Sequence, residues 1–423
     1  MDVRNFVLLI FVVCYALFVV FPGRRPWVAA GGALLVVASG ALSFGQAVAA
    51  VNWNVMGIFV GTLAVADVFM ESRVPAYLAE VLVNRARSSA WAILLVCLMT
   101  GLISAFVENV ATVLIVAPIA LTLARKLDIH PAPMMISIAV SSNLQGAATL
   151  IGDPPSMLLA GFARMNFVDF FFYKGRPGIF FAVELGALAA LVVLYLVFRG
   201  HRGRVTLVAS ERVVSWFPTV LLVVLIGLLA CSSLIDRDFA YLAGLLCVAA
   251  GIVSLLWAKV RFRKPLFPGI RSLDWETAVF LAAVFILVGS LTASGWIEVI
   301  ANGLADAVKG NAFLGYTLLV VLAMLASAFV DNVPFLAAML PVGLIMGERL
   351  SLPPQLFLFG LLIGASLGGN ITPIGASANI VACGILKKHG HAVSFREFMR
   401  IGVPFTLAAV AAAYLFGWLV WSR

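Results

Sequence analysis

The sequence has little charge for its length. Charged residues make up 11% of its 423 residues and hydrophobic residues 63%, whereas a soluble domain carries about 25% charged residues. Mean hydropathy is +1.11. Apolar runs of roughly 20 residues recur with short polar joints between them, which is typical of transmembrane helices. The shortage of charge therefore excludes an ordinary soluble protein and predicts an all-α polytopic membrane protein.

Cysteine and histidine are scarce as well, and neither forms a recognisable site. The five cysteines lie in apolar runs without a Cys-x-x-Cys pair, and the four histidines lack the spacing of zinc ligands. The chain has no phosphate-binding loop of the form Gly-x-x-x-x-Gly-Lys-Ser/Thr, and no nucleophile–base pair stands out. These absences predict no metal, no cofactor and no enzymatic activity.

Basic residues exceed acidic ones, giving a net charge of +9, but they do not form a nucleic-acid-binding pattern. There is no aromatic-basic stripe and no long basic tail, and most of the basic residues lie in short loops. Such loops face the cytoplasm in membrane proteins. With the N-terminus outside, 20 of the 28 Lys and Arg residues fall on the cytoplasmic side and 8 outside. We predict a multi-pass protein of the inner (cytoplasmic) membrane, surrounded by lipid and without a nucleic-acid partner.

Two pairs of motifs recur at one constant offset. Adding 223 carries the acid-amide pair Glu108-Asn109 onto Asp331-Asn332. The same offset carries Gly146 onto Gly369, and residues 149–152 (TLIG) onto 372–375 (TPIG). One offset for two separated motifs predicts a duplication in which each half carries one acid-amide motif and one glycine-rich motif.

Each acid-amide pair interrupts a long apolar segment, at about 91–127 and about 313–346. Such a segment is either two full spans or one re-entrant helical hairpin with the pair at its tip. Basic residues flank the first segment at both ends, which favours a hairpin that enters and leaves on one side. Non-helical backbone at membrane depth then has to be buried in protein or line a cavity.

The glycine-rich motifs predict two broken helices, at about 131–162 and about 356–386. Gly152-Asp153-Pro154-Pro155 cannot continue a regular helix, and Asp153 before Pro154 is typical of a new helix N-terminus. The second break is predicted around 364–375. The resulting domains are N-terminal scaffold helices at 1–50, a first repeat at 51–198, a linker loop with scaffold helices at 199–272, and a second repeat at 273–423.

The counts of basic residues place the two hairpins on opposite faces, with the first entering from the cytoplasm and the second from outside. Inverted repeats of this kind bring their hairpin tips and unwound loops together near the membrane midplane. Carboxyl groups are costly at that depth and typically functional, so we predict proton coupling by Glu108, Asp331 and Asp153. The predicted substrate-binding residues offer amides, hydroxyls or freed backbone groups: Asn109, Asn143, Gly146, Thr149, Gly152, Asn332, Gly369, Asn370, Thr372, Gly375, Ser377 and Asn379.

Structural interpretations of the same residues stay open. The acid-amide pairs and Asp153 are also consistent with helix caps, and the glycines with close packing. Asp67 and Glu184, which interrupt other apolar runs, fit helix ends that face water. No Lys or Arg lies within either tip or either unwound loop. This absence disfavours an anionic substrate and favours a cation or a neutral polyhydroxylated solute.

These motifs resemble those of the ion transporter superfamily. The matching stretches are 147–155 (AATLIGDPP), 329–335 (FVDNVPF) and 368–379 (GGNITPIGASAN). Within the superfamily the chain is similar to the arsenite permease (ArsB-type) group, which is related to NhaD-type sodium/proton antiporters and the P protein. Dicarboxylate transporters of the superfamily carry Ser-Asn-Thr at their tips, and this chain departs from that pattern.

The resemblance implies an inverted repeat of about ten spanning helices with two re-entrant hairpins and two broken helices. It implies export of arsenite or antimonite, as the neutral trihydroxide, in exchange for protons. The alternative is a sodium/proton antiporter, and a passive channel is less favoured because two acids at opposed tips indicate alternating occupancy. A cytoplasmic arsenite-stimulated ATPase and a second copy of the chain are the partners that the resemblance implies.

Overall fold

The computed structural model describes residues 2–201, 203, 212–263 and 266–423, without the side chains of 266 and 267. Parts of the predicted 199–272 linker, at 202, 204–211 and 264–265, lie outside the described residues. The helices of the first half are α1 Val3–Val20, α2 Arg25–Ala38, α3 Phe44–Ala50, α4 Trp53–Glu71, α5 Val74–Arg85, α6 Ser89–Ser104, α7 Asn109–Lys126, α8 Pro131–Gly146, α9 Pro154–Ala163 and α10 Ile179–Phe198. Those of the second half are α11 Phe217–Ile235, α12 Leu242–Phe262, α13 Leu266–Arg271, α14 Trp275–Ala293, α15 Trp296–Ala307, α16 Ala312–Ser327, α17 Asn332–Arg349, α18 Pro354–Gly368, α19 Ser377–Lys388 and α20 Phe395–Trp421.

The remaining regular elements are short. Within the described ranges, three 3-10 helices lie at Pro22–Arg24, Val168–Phe170 and Gly369–Ile371. The strands β1 Phe172–Tyr173 and β2 Arg176–Pro177 form an antiparallel pair in which Phe172 faces Pro177. This small hairpin leads into α10, so it connects the first broken helix to the last helix of the first half.

Within the described residues, nine helices are long and apolar enough to cross a membrane. The nine include α7 and the segment Pro354–Ile371, which were predicted as a hairpin arm and part of a broken helix. The peripheral helices expose large apolar side chains such as Trp27, Leu34 and Leu419, whereas α18 is almost entirely buried. An apolar exterior around a buried helical interior suits lipid as the solvent. The all-α polytopic fold is confirmed.

The order of helices repeats along the chain. Phe44 and Leu266 begin α3 and α13, and Trp53 and Trp275 begin α4 and α14, each pair 222 positions apart. From α6 and α16 to α9 and α19 the spacing is 223, as for Asn109 and Asn332, which begin α7 and α17. Each acid-amide pair thus lies where two helices meet, since only residues 105–108 separate α6 from α7 and only 328–331 separate α16 from α17.

The two halves are interleaved at the centre. Helix α9 of the first half packs on α17 and α18, while α19 of the second half packs on α7 and α8. The two broken helices therefore reach across to the opposite hairpin, which brings residues far apart in sequence to one place.

Helices α4 and α12 pack with their backbones in contact. A Cβ atom on Gly244 would lie 2.6 Å from the Asn54 carbonyl oxygen, and one on Gly57 would lie 3.1 Å from the backbone of Gly244. A Cβ on Gly61 would overlap the backbone of Cys247. Only glycine permits this separation, so α4 is held directly against α12.

The second break is shorter than the sequence predicted. Gly364 lies inside α18, which continues to Gly368 and ends in the 3-10 turn Gly369–Ile371. The prediction that unwinding begins at Gly364 was therefore wrong. A Cβ on Gly364 would lie 2.6 Å from the Val320 carbonyl oxygen of α16. This glycine serves close helix packing rather than a break.

Candidate functional site

A cavity of about 510 Å3 lies where the predicted motifs converge. Both acid-amide pairs and the N-termini of α9 and α19 line it, together with α4, α14 and the connection between α1 and α2. Its acidic lining residues are Asp67, Glu108, Asp153, Asp274, Glu276 and Asp331. Among the described lining residues the only base is Arg25. The cavity is therefore strongly acidic when its carboxyl groups are ionised.

The first tip is built on hydrogen bonds within the first half. A carboxylate oxygen of Glu108 accepts from the backbone N–H of Ala111 at 2.9 Å and so caps α7. The hydroxyl of Ser104 donates to Asn109 Oδ1 at 2.6 Å and lies 2.8 Å from the hydroxyl of Ser142 in α8. These bonds fix Asn109 against the broken helix and leave Glu108 facing the cavity.

The second tip differs from the first because its acid, Asp331, forms an ion pair. Asp331 Oδ1 accepts from the Val333 N–H at 3.0 Å and caps α17. Its other oxygen, Oδ2, lies 2.8 Å from Nη1 of Arg25. Beside this pair, the hydroxyl of Tyr15 donates to the carbonyl oxygen of Pro334. The second tip is therefore held against α1 and the start of α2.

Asp153 contributes a buried carboxylate at the start of α9. Its Oδ1 accepts from the Ser156 N–H at 2.9 Å, the cap that the sequence suggested. The side chain is 1% exposed, and Oδ2 has no hydrogen-bond partner among the described residues. An unsatisfied buried polar atom is unfavourable by about 1–3 kcal/mol. Oδ2 is accordingly the atom at which Asp153 can take up a proton.

Three of the predicted amides form a network that joins the two broken helices. Nδ2 of Asn143 donates to Oδ1 of Asn370 and of Asn379, at 2.9 Å each. The Asn370 amide donates to the Val140 carbonyl at 3.1 Å, and Asn379 Nδ2 lies 3.0 Å from the Gly369 carbonyl. Asn370 and Asn379 are fully buried. Their hydrogen-bonding capacity is largely used inside the protein.

The predicted threonines and glycines support the tips from behind. The hydroxyl of Thr149 donates to the carbonyl of Ala105, and Thr372 makes the same contact with Ala328. A Cβ on Gly152 would overlap the Gly146 carbonyl oxygen, and one on Gly369 would lie 2.8 Å from the Gly375 oxygen. The close-packing interpretation therefore describes the glycines well.

The structure divides the predicted site residues into two groups. Those that line the cavity are Glu108, Asn109, Asn143, Asp153, Asp331, Asn332 and Ser377. Those outside the cavity lining are Gly146, Thr149, Gly152, Gly369, Asn370, Thr372, Gly375 and Asn379.

The sequence prediction of the site missed Arg25, Asp67, Asp274 and Glu276. Asp67 gave a signal, because it interrupts an apolar run. Arg25 gave a weaker one, because a basic residue at a helix N-terminus opposes the helix dipole. Asp274 and Glu276 lie at the start of α14, a position that capping alone would explain.

A model of the citrate transporter (CitMHS) family matches residues 15–342 and 220–423. The chain belongs to this family. It is thereby a secondary transporter of the ion transporter superfamily and not an enzyme. The predicted superfamily is confirmed, while the family model does not single out the arsenite permease group.

Curated relatives match most of the chain, and a solved transporter structure has a similar fold. The chain is 31% identical over 437 residues to a 46 kDa membrane protein of Mycobacterium leprae, covering 97% of both. It is 26% identical over 441 residues to the P protein of Mus musculus, covering 84% of this chain and 52% of that one. The fold resembles the Alcanivorax borkumensis YdaH transporter at a TM-score of 0.61 and 16% identity, covering 89% and 86% of the two chains.

Proposed function

We propose that this transporter exports arsenite or antimonite, as the neutral trihydroxide, in exchange for protons. The observation that carries the proposal is the charge of the cavity. Six carboxyl groups line it, and the one basic group among the described lining residues, Arg25, is already paired with Asp331.

The family description names citrate, but this cavity is a poor receptor for a free tricarboxylate. With all groups ionised, one guanidinium and six carboxylates give a formal charge of 1 − 6 = −5. Like charges a few ångströms apart repel each other by about 1–4 kcal/mol per pair in water or near a protein surface. A neutral solute or a cation avoids this repulsion.

A trihydroxide needs hydrogen-bond donors and acceptors rather than a counter-charge. Asn109 and Asn332 provide both kinds of group. Helix α19 begins at the cavity after Ala376 without a side-chain cap, so the N–H groups of its first turn add donors. Glu108 and the free oxygen of Asp153 act as acceptors. None of the cavity residues that the structure describes is a cysteine, so a slowly released thiolate complex is avoided.

Coupling in this proposal is a competition between proton and solute for Glu108 and Asp153. Both face the cavity, and neither forms an ion pair with a basic side chain within the described residues. The proposal includes the inverted repeat, the re-entrant hairpins and the orientation with the N-terminus outside. Under that orientation the cavity opens to the cytoplasm, because loop residues Pro22 and Ser272 line it and are exposed.

Sodium/proton antiport is the second candidate. The excess of carboxylates and the unpartnered Asp153 Oδ2 favour it, because hard cations prefer oxygen ligands. A cytoplasmic arsenite-stimulated ATPase and a second copy of this chain are the protein partners that we propose to test.

The experiment is transport into everted membrane vesicles with an acidic interior, read by a fluorescent pH probe. Arsenite, antimonite, sodium and citrate are added separately. We expect arsenite and antimonite to dissipate the pH gradient. Glu108→Gln should abolish this response, whereas Glu298→Gln, which removes an exposed carboxyl outside the cavity lining, should preserve it. A response to sodium alone would select the second candidate, and a response to citrate alone would overturn both.

A further inference from the structure

The ion pair between Arg25 and Asp331 connects distant parts of the chain. Nη1 of Arg25 lies 2.8 Å from Asp331 Oδ2, and the two side chains are only 12% and 15% exposed. The partners are 306 positions apart. A short contact with limited access to water makes the attraction between the charges stronger than on an open surface.

The guanidinium is also fixed on the N-terminal helices. Its Nε donates to the carbonyl oxygen of Phe18 at 3.3 Å. Tyr15, on the same helix as Phe18, donates to Pro334 just beyond the tip. Arg25 and Tyr15 therefore hold the second tip at two points, one charged and one neutral.

The position of Arg25 within its own helix is electrostatically unfavourable. It is the first residue of α2, and the first turn of α2 contains no acid. The N-terminus of a helix carries a partial positive charge, so a cation there is destabilising. Asp331, from the other half of the chain, supplies the missing negative charge.

The equivalent acid of the first half lacks such a partner. Glu108 caps α7 as Asp331 caps α17, but no basic side chain pairs with it among the described residues. The other charged groups that face the cavity are all acids, namely Asp67, Asp153, Asp274 and Glu276. Arg25 therefore distinguishes two carboxyl groups that the repeat places at equivalent positions.

We propose that Arg25 is an internal cation that occupies Asp331 in this conformation and excludes protons and small cations from it. The second tip is closed to exchange until Arg25 withdraws, and Glu108 is the tip carboxyl that is open. This inference rests on the proposed function and adds to it, because it identifies Glu108 as the tip carboxyl that can exchange protons. The test of the Arg25 inference needs no transported substrate. Its outcome therefore does not depend on whether the substrate is arsenite.

The test is labelling of the full-length protein in liposomes with dicyclohexylcarbodiimide, which reacts with protonated carboxyl groups. Mass spectrometry of the peptides quantifies adducts at Glu108 and Asp331 over a range of pH. In the wild type we expect Glu108 to be labelled and Asp331 to be protected. In Arg25→Gln we expect labelling of Asp331 to rise to the level seen at Glu108, because the guanidinium that pairs with its carboxylate has been removed.

Two controls keep the result interpretable. Arg25→Lys retains the charge and should keep Asp331 protected, and Glu108 should label equally in all variants if they are folded. The comparison of the two carboxyls within the wild type needs no variant at all. Equal labelling of Glu108 and Asp331 in the wild type, or unchanged protection of Asp331 in folded Arg25→Gln, would overturn the proposal.

Discussion

The two hairpin tips are the most instructive pair of regions in this molecule. Both place an acid at the N-cap of the returning helix, and both have a serine at the end of the entering helix that bonds to the broken helix behind. Ser104 contacts Ser142, and Ser327 donates to the Ala365 carbonyl at 2.5 Å. Because 142 plus 223 is 365, the two serines reach equivalent positions. The supporting hydrogen bonds are thus shared, whereas the charges around the tips are not.

The differences lie in the side chains that face the cavity. Asp331 is paired with Arg25, and Glu108 is not. Asp153 caps α9, whereas its counterpart Ala376 leaves α19 without a side-chain cap. The repeated order of helices gives both tips the same scaffold, and a few charged side chains give them different chemistry.

The largest expected effect separates the two acids. Glu108→Gln should reduce substrate-driven proton movement to background, because it removes the open carboxyl. Asp331→Asn should slow transport without abolishing it. The measurement is the initial rate of pH-gradient dissipation in matched vesicles. Equal and complete loss in both variants would indicate that the acids share a structural role, and the comparison would fail.

The next largest effect is expected in the network of amide side chains formed by Asn143, Asn370 and Asn379. Asn370→Ala gives the second half the residue that the first half has at the equivalent position, Ala147. It leaves one Asn143 N–H and the Val140 carbonyl without this partner, so we expect the free energy of unfolding to fall by about 2–6 kcal/mol, which is the sum of about 1–3 kcal/mol for each group. Thermal unfolding of the purified protein measures this. Asn332→Ala at the second tip is the control, with an expected loss below about 1 kcal/mol.

A matched pair of glycine substitutions compares the two breaks. In Gly369→Ala the new methyl meets the Gly375 backbone, which cannot move easily, so we expect a loss of about 1–3 kcal/mol in stability. In Gly146→Ala it meets the Asn109 side chain, which can turn away only by giving up its hydrogen bond from Ser104. This variant should therefore lose transport rate more than stability. Thermal unfolding and vesicle transport are measured for both variants. A larger loss of stability in Gly146→Ala than in Gly369→Ala would contradict the contacts described.

The ion pair itself is expected to contribute less to stability. A pair with this exposure lies between surface pairs, at about 0–1 kcal/mol, and buried pairs whose disruption costs about 3–5 kcal/mol. We expect about 1–2 kcal/mol for Asp331→Asn, and partial recovery when Arg25→Gln is added. A double-mutant cycle by thermal unfolding measures the coupling. Strict additivity would show that the contact is energetically neutral.

The smallest effect tests the shared scaffold. Thr149→Val and Thr372→Val each remove one hydrogen bond to a backbone carbonyl. Each should cost about 1 kcal/mol, and the two should agree because the contacts are equivalent. Thermal unfolding of the two variants under one set of conditions is sufficient. A large inequality would mean that the supports of the two tips have diverged as well.

The sequence predicted those features that local chemistry determines. Apolar runs mark the helices, Asp153-Pro154 marks the first break, and the repeated acid-amide pairs mark the tips. The structure brings these pairs to one cavity. Whether a given polar side chain faces that cavity or turns away from it depends on packing. Thr149 and Thr372 face carbonyl oxygens instead, which no spacing of residues indicates.

The ion pair of Arg25 with Asp331 also depends on tertiary packing, so the local sequence could not predict it. The two residues lie 306 positions apart, and the motif around Asp331 contains no base. The motifs themselves contain no Lys or Arg, and this absence could not show a base that arrives from another helix. Gly364 shows the opposite error, since a glycine that packs against α16 resembles one that breaks a helix.

The glycine contacts between α4 and α12 also bear on selectivity. Phe59, Leu63 and Asp67 of α4 line the cavity, and α4 cannot move outward because its backbone already touches α12. The cavity thus has one stiff wall, while the first tip is held by hydrogen bonds and the second by hydrogen bonds and one ion pair. A solute that is too large has to be accommodated by displacing a tip. If protons bind at these tips, as we propose, the size limit is set at the same place, and admission of the solute and release of the proton become one event.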